Sequence, residues 1–171
     1  WIAALMEFIR RLEAAKVPTV GCCFGHQAIA KALGGTVARN AGGWGFGVSP
    51  TRFHRHESWM QPDRPELNLY SAHSEQVTAL PEGAEVLGGD SFCPMASFRV
   101  GNTFFTTEYH PEMTCDFFVA LTEEIEGYVG QDVAAHARQQ ARTPADGAIF
   151  GEWMAKFLEM PRPSRSASLA S

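Results

Sequence analysis

An α/β fold around a mixed sheet is what this sequence predicts, on three observations. The short, apolar, β-branched stretch KVPTVGCC runs directly into the helix-patterned stretch FGHQAIAKALGG. Several more short apolar stretches follow, separated by Gly, Asn or Pro. After Pro111 the apolar spacing becomes helical again. A strand and helix at the start, with further strands and then helices behind them, point to a sheet with helices packed on it.

Each element has its own signal. Ile2, Leu5, Met6, Ile9 and Leu12 recur at helical spacing with charged residues between them, which predicts an amphipathic helix. It has neither an initiator methionine nor a capping residue before it, so the chain is expected to begin inside an element. KVPTVGCC fits a buried strand. The next helix is closed by Gly34 and Gly35. TVARNAGGWGFGVSPTRF reads as a Gly-punctuated region with short strands, and ELNLYSAHS, after the turn-rich QPDRP, as a further strand. AEVLGGD, MASFRVG and TFFTTEYH are three more. Phe117, Phe118, Leu121, Ile125 and Val129 mark a helix, GEWMAKFLEM a last short one, and PRPSRSASLAS a polar tail expected to be disordered.

With 171 residues, 45% hydrophobic and 19% charged, the chain has the size and composition of one soluble globular domain. A net charge of −5 and scattered basic residues argue against a nucleic-acid surface. No apolar run approaches the roughly 18 residues of a membrane span, so no membrane association is expected. Residues 1–12 lack the basic start and small-residue cleavage site of a signal peptide. Four cysteines, two of them adjacent, do not make a disulfide framework in a chain of this length. The expected compartment is a reducing cytoplasm.

Gly21-x-Cys23-x-Gly25 has the spacing of a nucleophile elbow, with sulfur in place of the usual oxygen. The elbow is a sharp strand-to-helix turn that exposes one side chain between small neighbours. Cys23 is at its centre and is the candidate nucleophile. Cys22 should turn back to the sheet as a small apolar residue. Cys23 would sit at a helix N-terminus, where the dipole favours thiolate. The Phe24 backbone N–H is the candidate oxyanion donor. The same five residues also fit two structural cysteines before a Gly-rich turn, so the pattern by itself leaves both open.

A thiol nucleophile needs a base, and the base an orienting partner. His110 ends the strand-like FFTTEYH, and Pro111 biases it toward an extended conformation. Strand ends are where α/β folds place their sites. Glu112 is two positions on, on the same face of an extended segment, within reach of the imidazole. Alone, His110 would read as a strand-end residue beside a surface Glu; together with the elbow it favours catalysis.

At this point PTVGCCFGHQAIAKALGG, LYSAHSEQVTALPEGAEVLGGD and EYHPE resemble the class I glutamine amidotransferase family, from about Val17 to Met113. The nearest likeness is to the stand-alone branch resembling the amidotransferase domain of GMP synthase, which includes γ-glutamyl peptidases. The resemblance implies a flavodoxin-like α/β fold, a central mixed sheet flanked by helices, lacking the family's N-terminal strands and the Gly-rich oxyanion loop that follows one of them. Residues 1–160 would form a single, N-terminally truncated domain of this kind and 161–171 the tail. It implies attack on a γ-glutamyl amide carbonyl, a glutamyl-thioester intermediate, and release of ammonia or an amine. Cys23 matches the nucleophile, His110 the base and acid, and Glu112 its orienting residue. Gln27 matches the Gln after the elbow, and Ser71, Ala72 and His73 the strand end beside bound glutamine. No metal or organic cofactor is implied. The substrate would be glutamine or a γ-glutamyl compound, and a separate synthetase subunit is a possible partner. A non-catalytic interaction module is the other reading. Cysteine-dependent α/β-hydrolases share the elbow, but in them the acid precedes the His, whereas here it follows.

Other residues are weighed in the same way. His26 could line a pocket mouth but reads more simply as a capping or surface residue. His54, His56 and Glu57 have H-x-H-E spacing, a weak metal signal without a third spaced ligand. His136 reads as solvated, and Cys93 and Cys115 as structural. Trp44, among four glycines, reads as core packing ahead of substrate contact.

Overall fold

The computed structural model describes residues 1–161, so all but the first residue of the expected tail lies outside the described residues. Five helices and eight strands occur among them, and a six-stranded mixed sheet lies at the centre. In chain order they are α1 Ile2–Ala14, β1 Thr19–Cys22, α2 Phe24–Ala32, β2 Thr36–Arg39, β3 Gly45–Phe53, β4 Glu66–His73 and β5 Glu75–Ala79. Then come β6 Ala84–Gly89, β7 Ser97–Val100, β8 Phe104–Thr107, α3 Cys115–Val129, α4 Gln131–Gln140 and α5 Gly147–Leu158. The α/β architecture is the one the sequence predicts.

The sheet runs β1-β8-β7-β6-β3-β4. Only β1 and β8 are parallel, with Cys22 opposite Thr107. Parallel neighbours need a crossover connection rather than a hairpin, and here α2 and β2–β7 lie between them. β1 and β4 are the two ends of the strand order, yet the His110 N–H donates to the Tyr70 carbonyl on β4 at 2.8 Å. The segment after β8 therefore ties one end of the order to the other, and the sheet is curled. β2 and β5 form a separate antiparallel pair.

Both faces are covered, and β8 shows why its sequence is a continuous apolar run. Phe104 packs toward α1 and α2 with Ile9, Ile29 and Phe98; Phe105 packs toward α5 with Phe150, Trp153 and Phe157. Strand alternation sends neighbours to opposite faces, so a central strand buried on both has no polar side to show. A third cluster joins α3 and α4 to Phe46, Val48 and Tyr70, and Trp44 packs against it as expected, edge-on to Tyr128.

Three boundaries differ from expectation. β3 is one nine-residue strand rather than several short pieces. Its Pro50 is tolerated because β6 pairs with β3 only at Arg52 and Phe53, leaving most of that edge without ladder donors to lose. β5 was not expected; it follows β4 after a single residue, too little turn sequence to flag a new strand. α5 begins at Gly147 rather than Gly151 because Asp146 anchors its first turn: Asn68 N–H donates to the Asp146 carboxylate at 2.8 Å, and Asp146 N–H returns to the Asn68 carbonyl at 2.7 Å. No helix among the described residues is long and apolar enough to cross a membrane.

Candidate active site

β1 ends at Cys22 and α2 begins at Phe24, so Cys23 is the whole turn between strand and helix. Its backbone sits at φ +45°, ψ −106°, a conformation that a side chain rarely adopts. Two hydrogen bonds hold it there. The Cys23 N–H donates to the Thr107 carbonyl at 2.9 Å, and the Gln27 N–H donates to the Cys23 carbonyl at 3.0 Å. Gly21 is required by packing: a Cβ there would lie 2.7 Å from Ile29 Cδ1 and 2.9 Å from the Gly25 carbonyl carbon. Gly25 has open space where its Cβ would be, so only the first glycine of the elbow is sterically enforced.

The helix N-terminus does not win the contest over the thiol. Burial, followed by the nearby Glu108 charge, pushes the Cys23 pKa up to about 11; the Phe24 N–H pulls the other way and Glu112 adds to the rise. Burial thus works against the thiolate that the helix dipole favours. Cys22 is half-buried and, mainly through burial, pushed up to about 12. Phe24 leaves its ring about half exposed and in contact with Trp1, with centroids 5.5 Å apart.

His110 stands three residues beyond β8. Its Nδ1 lies 2.6 Å from Glu112 Oε1. A carboxylate only accepts, so Nδ1 is the donor of this bond. Glu112 is largely exposed, while His110 is mostly covered. The Cys23 turn and the His110–Glu112 segment thus leave the same end of two adjacent parallel strands, joined by the Cys23–Thr107 bond.

The four residues implied as substrate contacts have distinct surroundings. Gln27 Nε2 donates to Glu108 Oε1 at 2.8 Å and to the Glu75 carbonyl at 2.9 Å, so its amide is held by the protein itself. Ser71 is buried and donates to the Gly45 carbonyl at 2.8 Å. Ala72 packs against the third cluster. His73 is buried, with Nδ1 3.0 Å from the Glu75 carbonyl and Nε2 without a partner. A Cβ on Gly45 would lie 2.9 Å from that Nε2 and 3.2 Å from Ser71 Oγ, so the absence of a side chain at 45 leaves both polar atoms their room. Burial holds the His73 pKa below its ordinary value.

The structure moves one residue that the sequence reading weighed, His26, and adds one that it did not, Glu108. His26 is fully buried rather than at a surface or pocket mouth; its Nδ1 lies 2.8 Å from Thr106 Oγ1, and burial lowers its pKa to about 3. Glu108 is equally buried, and burial raises its carboxyl to about 8. The available signal was its place two residues before His110, in EYH, where an extended segment turns both to one face. Cys115 is exposed at the start of α3, its thiol 3.1 Å from the Ala141 carbonyl. No group of three or more potential metal-ligating side chains comes together among the described residues. His56 Nδ1 instead meets Asp63 at 2.8 Å, and Glu57 pairs with Arg55 and Arg99.

A model of the class I glutamine amidotransferase family matches residues 2–118, and the chain belongs to that family. Its relatives include stand-alone proteins and the amidotransferase part of larger enzymes. Gamma-glutamyl peptidase 3 of Arabidopsis thaliana is 25% identical over 164 residues, covering 91% of this chain and 66% of that protein. A glutamine-hydrolyzing GMP synthase of Methylobacillus flagellatus is 33% identical over 107 residues, covering 57% of this chain and 20% of that enzyme. The chain spans 65–66% of the length of the first curated relatives that it matches. Among solved structures, a glutamine amidotransferase of Thermotoga maritima superposes with a TM-score of 0.77 at 16% identity, over 91% of this chain and 68% of that one. The fold is the flavodoxin-like α/β arrangement shared by these neighbours, a curled mixed sheet flanked by helices.

Proposed function

We propose that this protein cleaves a γ-glutamyl amide, with Cys23 as nucleophile, His110 as base and acid, and Glu112 as the group that orients His110. The observation that carries the reading is the backbone of Cys23: φ +45° at a strand–helix turn, bonded to the carbonyl of the residue from which the chain runs on to His110 and Glu112. Strain of this kind persists only where the surroundings enforce it, and it presents the side chain at the sheet's rim.

The chemistry follows from the charges. Cys23 rests protonated, so His110 Nε2 takes its proton as the sulfur attacks the side-chain carbonyl. The C–S bond forms, the carbonyl oxygen becomes an oxyanion, and the Phe24 N–H is the donor that this chain supplies to it. His110 then returns the proton to the leaving nitrogen, which departs as ammonia or an amine and leaves a glutamyl thioester. A water activated by His110 hydrolyses the thioester and regenerates the thiol. Glu112 holds Nδ1–H and stabilises the imidazolium. Ser71, Ala72 and His73, at the end of β4, are the residues that the family likeness sets beside the bound glutamyl group. The cytoplasm suits four unpaired thiols, one of them catalytic.

The likeness to GMP synthase favours a second reading, in which the released ammonia passes to a separate synthetase subunit. One assay separates the two. Ammonia and amine release are measured from glutamine and from γ-glutamyl dipeptides, with the parent and Cys23→Ala. Release from γ-glutamyl peptides by the protein alone, lost in Cys23→Ala, supports the hydrolase; release from glutamine only with a partner present supports the subunit. Release unchanged in Cys23→Ala sinks both.

A further inference from the structure

Two buried polar atoms beside the nucleophile face each other without partners. Glu108 Oε2 and His26 Nε2 are both fully buried, lie 3.6 Å apart, and have no hydrogen bond to any other group. Their opposite ends are fixed. With Thr106 Oγ1 donating to the Phe98 carbonyl at 3.2 Å, it accepts at 2.8 Å from His26 Nδ1, which in that arrangement carries the ring proton. Nε2 is then a bare lone pair. Glu108 Oε1 accepts from Gln27 Nε2 at 2.8 Å. An ionised Glu108 would set a carboxylate against that lone pair, two acceptors in a dry interior, an arrangement that costs both groups their solvation. One proton on Oε2 converts the two orphans into a donor and an acceptor, with a closure of roughly 0.6–0.9 Å.

We propose that Glu108 is a positioning residue: the proton that it shares with His26 locks Gln27 and the first turn of α2 beneath Cys23, and keeps a negative charge away from the sulfur. The inference rests on the reading of Cys23 as the nucleophile. Its chain of contacts is short. Gln27 N–H holds the Cys23 carbonyl, Gln27 Nε2 holds Glu108, and Glu108 N–H is itself pinned to the Ala96 carbonyl at 2.7 Å. The groups facing the carboxyl are Cys23, His26 and Gln27 from the α2 side, Glu75 and the Val77 N–H from β5, and Cys93 from the connection before β7; His73 faces His26. No cation is among them. Burial first, and Glu75 last, raise the cost of ionising Glu108 against the Gln27 amide and the Val77 N–H, which favour its charged form, and an ionised Glu108 in turn opposes formation of the Cys23 thiolate. The nucleophile is therefore easiest to ionise while Glu108 holds its proton, and alkaline pH works against the attack through this residue.

The test reads the proton directly and does not need turnover. In protein carrying ¹³C-labelled glutamate carboxyls, one resonance is expected to keep its acid-form shift at neutral pH and to titrate near 8, and to be missing in Glu108→Gln. The His26 ring nitrogens in ¹⁵N-labelled protein should report a protonated Nδ1 and should shift at Nε2 in the same titration. Alkylation of Cys23 by iodoacetamide, mapped by mass spectrometry, should match between parent and Glu108→Gln within about twofold at neutral pH. Above the transition the variant should react faster, by up to about tenfold, the equivalent of one unit of thiol pKa. Glu108→Gln keeps a neutral donor, so its γ-glutamyl hydrolysis should lose the alkaline descending limb while KM stays unchanged. A titration of every glutamate within the ordinary carboxylate range, a proton found on His26 Nε2, or superimposable alkylation profiles would overturn the proposal. If the resonance is present but no γ-glutamyl compound is cleaved, the shared proton stands and the enzymatic reading falls.

Discussion

Phe105 and Glu108 are three residues apart on one run of chain and equally hidden from water, yet they do opposite things. Phe105 stacks on Phe150 with centroids 5.0 Å apart and lies 4.4 Å from the Trp59 ring, in a layer where α5 brings Phe150, Trp153 and Phe157 against the sheet. Burial satisfies that layer, with the indole N–H of Trp153 donating to the Pro62 carbonyl. Glu108 has an orphaned oxygen, a carboxyl pushed far from its ordinary range, and a neighbour, Cys23, in a strained backbone. The aromatic layer under α5 supplies stability, and the rim at the ends of β1 and β8 consumes it. A protein that keeps strain and unsatisfied polar groups at one place, against the local rules it obeys elsewhere, marks that place as functional.

The comparison breaks first, and most severely, at the rim. Cys23→Ala should lower γ-glutamyl hydrolysis by at least ~10³-fold, and His110→Gln by about 10²–10⁴-fold. Neither should lower the thermal midpoint, since no stabilising core contact is lost; steady-state rates with melting curves check both. Glu112→Gln should cost less, roughly 10–10²-fold in kcat and well short of what a buried triad acid supplies, because its side chain is 59% exposed. The reverse pattern belongs to the α5 layer. Trp153→Ala should destabilise by about 3–5 kcal/mol in denaturant unfolding, losing also the Nε1–H bond to the Pro62 carbonyl at 3.0 Å, with the rate per folded molecule unchanged.

Smaller effects sharpen the contrast within the elbow itself. Gly21→Ala should cost about 1–3 kcal/mol through overpacking on Ile29 and the Gly25 carbonyl. Gly25→Ala, with open space at its Cβ, should be neutral or stabilising by up to about 1 kcal/mol. The pH dependence of stability follows from Glu108. Its folded pKa, near 8, lies above the ordinary 4.5, so folding favours the proton. The contribution is full below about 4.5 and is lost as pH rises through about 8. Glu108→Gln should therefore gain stability relative to the parent on going from acid to alkaline pH, which paired melting curves across that window would show.

Much of this was legible in the sequence because local signals agreed with tertiary ones. KVPTVGCC and FGHQAIAKAL have the composition of a buried strand and a helix, and they form β1 and α2. The spacing of Gly21 and Cys23 carries a backbone requirement, and that requirement can be read without coordinates. What stayed hidden depends on long-range partners. β5 exists because β2 pairs with it, and the early start of α5 depends on Asn68, 78 residues before Asp146. His26 and Glu108 looked like ordinary polar residues, because nothing local says that residues 26 and 108 meet across α2 and the sheet. At Cys23 the helix dipole is local and visible, whereas the burial that raises the thiol pKa depends on partners far along the chain.

The central claim is that Cys23, and no other thiol, carries the reaction. It is tested most directly by treating the folded protein with the glutamine-analogue electrophile diazo-oxo-norleucine and mapping the adduct by peptide mass spectrometry. The account predicts a single adduct on Cys23, slowed by excess γ-glutamyl substrate and absent from Cys23→Ala. An adduct on Cys22, Cys93 or Cys115 with Cys23 unlabelled, or no adduct at all on protein shown to be folded, contradicts it.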